Sequence, residues 1–143
     1  MLLQLILATA AVLCTALFHL TGLWALTRTL SPYRAVNREW RFGRFSSLLV
    51  AITAIIAIHT SEIWTYAALY VGLSAFHHFE EALYFSTSTY ASIGYGDVLL
   101  PRDWRILGAI EGAAGTIMLG WSTAYLVLLL TRLKLFGHVH MLR

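Results

Sequence analysis

The sequence predicts an all-α membrane protein with three transmembrane helices, a re-entrant pore helix and a glycine-containing filter loop. Of the 143 residues, 59% are hydrophobic and only 12% are charged, which is too apolar for an ordinary soluble domain of this length. Three apolar segments are each long enough to cross the ~30 Å hydrocarbon core of a bilayer. The motif Gly94-Tyr95-Gly96-Asp97 lies between the second and the third segment.

Residues 1–27 are predicted to form a peripheral N-terminal transmembrane helix. The stretch from Leu2 to Leu26 is apolar except for Gln4, His19 and a few threonines. A secretory signal is the competing interpretation, but the stretch is too long and lacks a basic n-region and a small-x-small cleavage site. We therefore expect a retained helix, in which His19 serves as a polar helix-packing residue.

Residues 28–44 are predicted to be a basic cytoplasmic linker. Five arginines cluster there with Trp40 and Phe42, a pattern that suits a short interfacial helix on anionic headgroups or an ordinary loop. Eight of the ten Lys and Arg residues lie in this linker or at the C-terminal end of the chain. The positive-inside rule then places the linker and the short tail, residues 134–143, in the cytoplasm and the N-terminus outside. This placement indicates a multi-pass protein of the cell (inner) membrane, with the lipid bilayer and not nucleic acid as its partner.

Residues 45–133 are predicted to form a single pore domain. Its outer helix covers 45–73, and at 1.5 Å per residue this helix exceeds the hydrocarbon core, so we expect it to tilt or project. Its inner helix covers 104–133 and contains Gly108 and Gly112, a small-xxx-small pair suited to close helix packing.

Residues 79–91 are too short to span a membrane and are predicted to form the pore helix. Glu80 and Glu81 lie in its first turn, where carboxylates interact favourably with the helix macrodipole. Irregular backbone at membrane depth is tolerated only where protein buries it or water lines it. A half-helix followed by Gly-Tyr-Gly therefore indicates a pore or a cavity.

The loop at residues 92–97 is the candidate cation-binding element. Glycines at positions 94 and 96 permit positive φ, which lets successive backbone carbonyls point the same way. One chain cannot surround an ion, so we predict a homotetramer closed by four-fold rotation. The carbonyls expected to bind the cation are those of Ser92, Ile93, Gly94 and Tyr95.

The run Ala82–Asp97, ALYFSTSTYASIGYGD, resembles the pore region of potassium channels, whose signature is Thr-Val/Ile-Gly-Tyr-Gly-Asp. The resemblance covers residues from about 45 to 132 and is closest to small bacterial single-pore channels, with one helix added at the N-terminus. It implies K⁺ as the conducted ion and the metal bound by the filter carbonyls, with no further cofactor. It also places Gly115 where such channels often carry a gating hinge.

The loop departs from that family pattern at two positions. Ser92 stands where the signature has threonine, so it keeps the hydroxyl and loses a methyl group. Ser88 stands where some of these channels place a bracing glutamate. We expect Tyr84 to restrain Asp97 by a hydrogen bond instead, so Tyr84, Ser88, Gly96 and Asp97 are assigned to filter support.

Three ionisable residues lie in apolar surroundings: His59, Glu62 and Glu111. Intramembrane charges usually face the interior of a bundle. Our hypothesis is that Glu111 on the inner helix and Glu62 or His59 on the outer helix form a polar network behind the pore helix, which replaces the missing bracing acid and makes gating sensitive to pH. Two interpretations stay open, namely side chains facing solvent near the outer surface, or a metal site completed by a third carboxylate. We expect no transition-metal site.

The predicted function is passive, potassium-selective conduction across the membrane. The alternatives are a weakly selective cation channel and a non-conducting membrane subunit or sensor with a pore-like fold. An enzyme is not predicted, because the sequence has no Ser/His/Asp set and no phosphate loop in a strand-then-helix setting. The sequence does not indicate the gating stimulus.

Overall fold

The structure is a computed structural model that describes residues 1–36 and 41–133. All regular structure in these residues is helical, which confirms the predicted all-α class. Three of the helices are long and apolar enough to cross a membrane. In chain order the elements are α1 (Leu2–Val36), α2 (Arg41–Gly72), α3 (Phe79–Tyr90), a 3₁₀ turn (Arg102–Trp104) and α4 (Arg105–Leu133).

The first helix is longer than the sequence analysis predicted. A linker was expected over residues 28–44, but α1 continues to Val36 and α2 already begins at Arg41. Extending an existing helix by one residue is far easier than starting a new one, which explains why the polar segment stays helical. Residues 37–40, with Trp40, and the tail at 134–143 lie outside the described residues. Helices α3 and α4 begin and end within one residue of the predicted positions.

Helix α3 lies between α2 and α4, and α1 packs on the opposite side against the same two helices. Polar contacts join α1 to α4 at two distant positions. The Gln4 side-chain oxygen accepts a hydrogen bond from the Ile106 amide at 3.3 Å, and the hydroxyls of Thr27 and Tyr125 are 3.1 Å apart. Helix α1 is therefore attached to α4 both at Gln4 and at Thr27.

Three glycines on α4 allow α3 to pack closely against it. A Cβ on Gly108 would lie 3.2 Å from Cζ of Phe85, and a Cβ on Gly112 would lie 3.2 Å from the Thr89 carbonyl oxygen. A Cβ on Gly115 would overlap the carbonyl of Tyr90. In a membrane, helices associate by close van der Waals packing, which such small residues allow. Gly115, the predicted hinge, therefore lies at a close packing contact between α4 and α3.

Candidate functional site

The loop Ser92–Asp97 has an unusual backbone that follows directly from α3. Positive φ angles occur at every second residue, 57° at Ser92, 59° at Gly94 and 79° at Gly96. In a regular extended chain, successive carbonyls point to opposite sides. A left-handed backbone conformation at every second residue turns them toward the same side. The two glycines were expected from the sequence, but Ser92 was not. A non-glycine residue costs about 1–2 kcal/mol in this conformation.

Amide groups of the loop are held by the end of α3. The N–H groups of Ile93 and Gly94 both donate to the Ser88 carbonyl, at 2.9 and 3.2 Å. The Ser88 hydroxyl accepts a longer bond from the Tyr95 N–H at 3.4 Å. Ser88 thus contacts the loop through its backbone as well as its side chain. These hydrogen bonds hold the N–H groups of the loop on the side of α3. The loop carbonyls can therefore point to the opposite side, away from α3.

The Ser92 side chain reaches α4 at the inner end of the loop. Its hydroxyl lies 2.7 Å from the Thr116 hydroxyl, which itself lies 3.0 Å from the Gly112 carbonyl oxygen. Either hydroxyl can be the donor in the contact between the two, and the Ser92 hydroxyl also lies 3.5 Å from the Gly112 carbonyl oxygen. Thr116, Gly120 and Thr123 share one face of α4, and all three are exposed in the single chain.

At the other end of the loop, Tyr84 donates a hydrogen bond to Asp97 at 2.7 Å. This bond favours the ionised carboxylate and lowers the pKa of Asp97 below its ordinary value. The Tyr84 ring also stacks on Tyr95, with ring centroids 6.4 Å apart and planes 15° from parallel. The restraint that the sequence analysis expected at Asp97 is thus present in the geometry.

Behind α3, Glu62 is the centre of a buried cluster. Its Oε1 lies 3.0 Å from His19 Nδ1 and its Oε2 lies 3.1 Å from His59 Nδ1. Oε2 also accepts a short hydrogen bond from the Tyr90 hydroxyl. The Ser122 hydroxyl faces the Nε2 atoms of both rings. The cluster therefore contains side chains from all four helices, of which α1, α2 and α3 contact the carboxylate itself.

Glu111 is the centre of a second buried cluster. Its Oε2 accepts a hydrogen bond from the Tyr70 hydroxyl at 2.5 Å, and its Oε1 accepts one from the Ser86 hydroxyl. Glu111 is fully buried, and Glu62 has only 1% of its surface exposed. No basic side chain of the described residues is within hydrogen-bond distance of Glu111.

The structure thus corrects the hypothesis of a network joining Glu111 to Glu62 or His59. His59 and Glu62 are together, but Glu111 has different partners and no hydrogen bond to either of them among the described residues. The reason is that each acid meets a different hydroxyl of α3. The two hydroxyls, on Ser86 and Tyr90, are four residues apart and so lie on one face of the helix.

His19 is the functional candidate that the sequence analysis missed. It was interpreted as a helix-packing residue, whereas the structure buries it completely against Glu62. The available signal was a lone ionisable side chain in an otherwise apolar span, a pattern that by default indicates a functional partner inside the bundle.

Comparison with known proteins covers the part of the chain that follows α1. A family model described as an ion channel matches residues 45–132, which is more than half of the chain. No significant match occurs among curated proteins or solved structures. The match includes α3, the 92–97 loop and both buried carboxylates, but it excludes α1 and with it His19 of the Glu62 cluster.

Proposed function

Since the chain belongs to this ion-channel family, that of the two-helix potassium channels, we propose that it conducts K⁺ passively and selectively through a tetrameric, carbonyl-lined filter. Three membrane-capable helices and the family together make it a multi-pass membrane protein. The charge distribution supports an N-terminus outside and a C-terminus in the cytoplasm of the inner membrane.

The observation that supports conduction best is the set of free carbonyls in the 92–97 loop. Among the described residues, no donor forms a hydrogen bond with the carbonyl oxygens of residues 92–95. Backbone acceptors at membrane depth require a partner, and a dehydrated cation fits a row of carbonyls that point the same way. The Ser92 hydroxyl adds an oxygen at the inner end of that row.

The same geometry supports a ring of several chains, which we propose to be four. One loop supplies carbonyls from one side only, so a complete cage requires further copies around an axis. Ile93 and Tyr95 have 52% and 67% of their surface exposed in the single chain, as expected of side chains that await neighbours. Helix α3 has 12 residues and a length of about 18 Å, which supports a re-entrant position.

Ion flux in liposomes containing the purified protein tests this proposal. We expect a barium-sensitive K⁺ flux and a reversal potential in mixed K⁺ and Na⁺ that follows K⁺. Gly94→Ala is expected to abolish the flux, because alanine is strained at a φ of 59°. Gly72→Ala is the matched control, since a Cβ there meets no atom within 4 Å and the backbone needs no positive φ.

Two results would replace the proposal by its alternatives. Equal Na⁺ and K⁺ permeation would indicate a weakly selective cation channel. A folded oligomer that passes neither ion at any pH would indicate a non-conducting membrane subunit or sensor.

A further inference from the structure

The cluster around Glu62 contains three side chains with the atoms that transition metals prefer. One ring nitrogen of His19, one ring nitrogen of His59 and a carboxylate oxygen of Glu62 all lie within 4.8 Å of one another. Each of these side chains lies on a helix that packs against other helices. His19 and Glu62 are fully enclosed, whereas the His59 side chain keeps 12% of its surface exposed.

If both rings are neutral and donate to Glu62, hydrogen-bond counting leaves the cluster one donor short, a deficit that a proton on one ring or a bound metal ion would remove. If both neutral rings donate from Nδ1 to Glu62, both Nε2 atoms are acceptors. These atoms lie 3.3 Å (His19) and 2.9 Å (His59) from the Ser122 hydroxyl oxygen. That hydroxyl has one hydrogen and can serve only one ring. One buried Nε2 is then left without a donor, which is unfavourable.

A bound divalent metal removes this conflict. When Nδ1 of each ring binds the metal, each neutral ring carries its hydrogen on Nε2. The Ser122 oxygen then accepts both hydrogen bonds with its two lone pairs. Metal-binding histidines almost always donate their second N–H in this way, which fixes the orientation of the ring. Ser122 thus lies where a metal site needs an acceptor.

We propose that His19, His59 and Glu62 bind a divalent transition-metal ion, with Zn²⁺ as the best match. Two imidazoles and one carboxylate suit zinc, whereas calcium and magnesium prefer oxygen ligands only. The two nitrogen–oxygen distances to Glu62 are 3.0 and 3.1 Å. The first distance runs to Oε1 of Glu62 and the second to Oε2. Ligands of a tetrahedral zinc are roughly 3.3 Å apart, so movement of these side chains would admit the ion, with a water molecule as its fourth ligand.

The metal would connect α1 to the part of the chain that the ion-channel family covers. His19 lies on α1, outside the matched residues, and His59 and Glu62 lie inside them. Glu62 also accepts the Tyr90 hydrogen bond at the end of α3, directly before the loop. This site goes beyond conduction, because it gives the added helix a ligand-dependent attachment to the pore domain.

Cobalt substitution on the purified full chain in detergent tests the proposal. After removal of metals by a chelator, we expect one Co²⁺ per chain with the intense visible bands of a tetrahedral site, displaced by Zn²⁺. His77→Ala/His78→Ala, which removes an exposed histidine pair, is expected to leave the bands unchanged. His19→Ala is expected to abolish them. Ser122→Ala is expected to weaken Co²⁺ binding by about 10–100-fold, since it removes only the shared acceptor.

X-ray absorption of the zinc-loaded wild-type protein provides a readout that does not depend on whether His19→Ala folds. Two imidazole ligands per zinc are expected. Bands that persist in His19→Ala, or a zinc environment without imidazole, would overturn the proposal. Metal binding is measured here without any ion flux, so its failure and a failure of the proposed conduction are distinguishable.

Discussion

The two buried carboxylates, Glu62 and Glu111, anchor the same face of α3 by different chemistry. Both accept a hydrogen bond from a hydroxyl of that helix, Glu62 from Tyr90 and Glu111 from Ser86. Glu62 also faces two imidazoles, whereas the second partner of Glu111 is another hydroxyl, that of Tyr70. The difference shows that holding α3 requires only a buried acceptor. The histidines at Glu62 add a connection to α1 that anchoring does not need.

Replacing each acid by its amide is expected to give the largest loss of stability and the clearest difference between the two clusters. Glu62→Gln should lower the free energy of unfolding by about 3 kcal/mol, because the amide NH₂ cannot accept from an imidazole N–H and leaves a buried donor without a partner. Glu111→Gln should lower it by about 1 kcal/mol, since hydroxyls can turn to accept from an amide. Chemical unfolding in mixed micelles measures both variants. Equal losses would show that the imidazoles do not distinguish the two sites.

Removing His19 tests whether the Glu62 cluster holds α1. His19→Phe should lower the free energy of unfolding by about 1–3 kcal/mol, because it takes away one buried partner of the carboxylate. Phe18→Leu is the control, as Phe18 is the exposed neighbour on the same helix. Thermal unfolding in detergent reports the difference. A His19→Phe protein as stable as Phe18→Leu would contradict a role for His19 in attaching α1.

Deleting one tyrosine hydroxyl from each cluster sharpens the comparison. Tyr90→Phe and Tyr70→Phe should each lower the free energy of unfolding by about 1 kcal/mol, since each loses one buried hydrogen bond. Only Tyr90→Phe is expected to change K⁺ flux, because Tyr90 is the last residue of α3 before the loop. Flux and unfolding measured on the same preparations separate the two effects. A change of flux in Tyr70→Phe alone would reverse the assignment.

Asp97 is an exposed acid that can be compared with the two buried ones. The change expected there is the smallest of those described. Its lowered pKa means that the stabilisation from the Tyr84 hydrogen bond is present above its ordinary pKa and is lost as the pH falls through the lowered pKa. Tyr84→Phe should therefore raise the pKa of Asp97 toward its ordinary value. Carboxyl ¹³C NMR titration measures the change, with Tyr125→Phe as the remote control. An unchanged pKa would show that the bond does not persist in solution.

The helices and the loop motif could be predicted because they depend on local chemistry. Apolar length defines the three spans, and the glycines at 94 and 96 indicate reversed backbone at those positions. The positive φ of Ser92 could not be predicted, because it arises from how the loop is attached to Ser88 and Thr116. The length of α1 was also missed, since polar composition alone does not end a helix.

The sequence by itself determined the fold class, the order of the elements and the motif on which the proposed ion selectivity rests. It also showed that ionisable residues occur in the spans, but it did not pair them. Only the tertiary structure decided that Glu62 meets His19 and His59 while Glu111 meets hydroxyls. The physical reason is that such pairs are up to 43 residues apart in the chain. Their contact depends on how α1 packs against α2 and α4, and no local pattern encodes that arrangement.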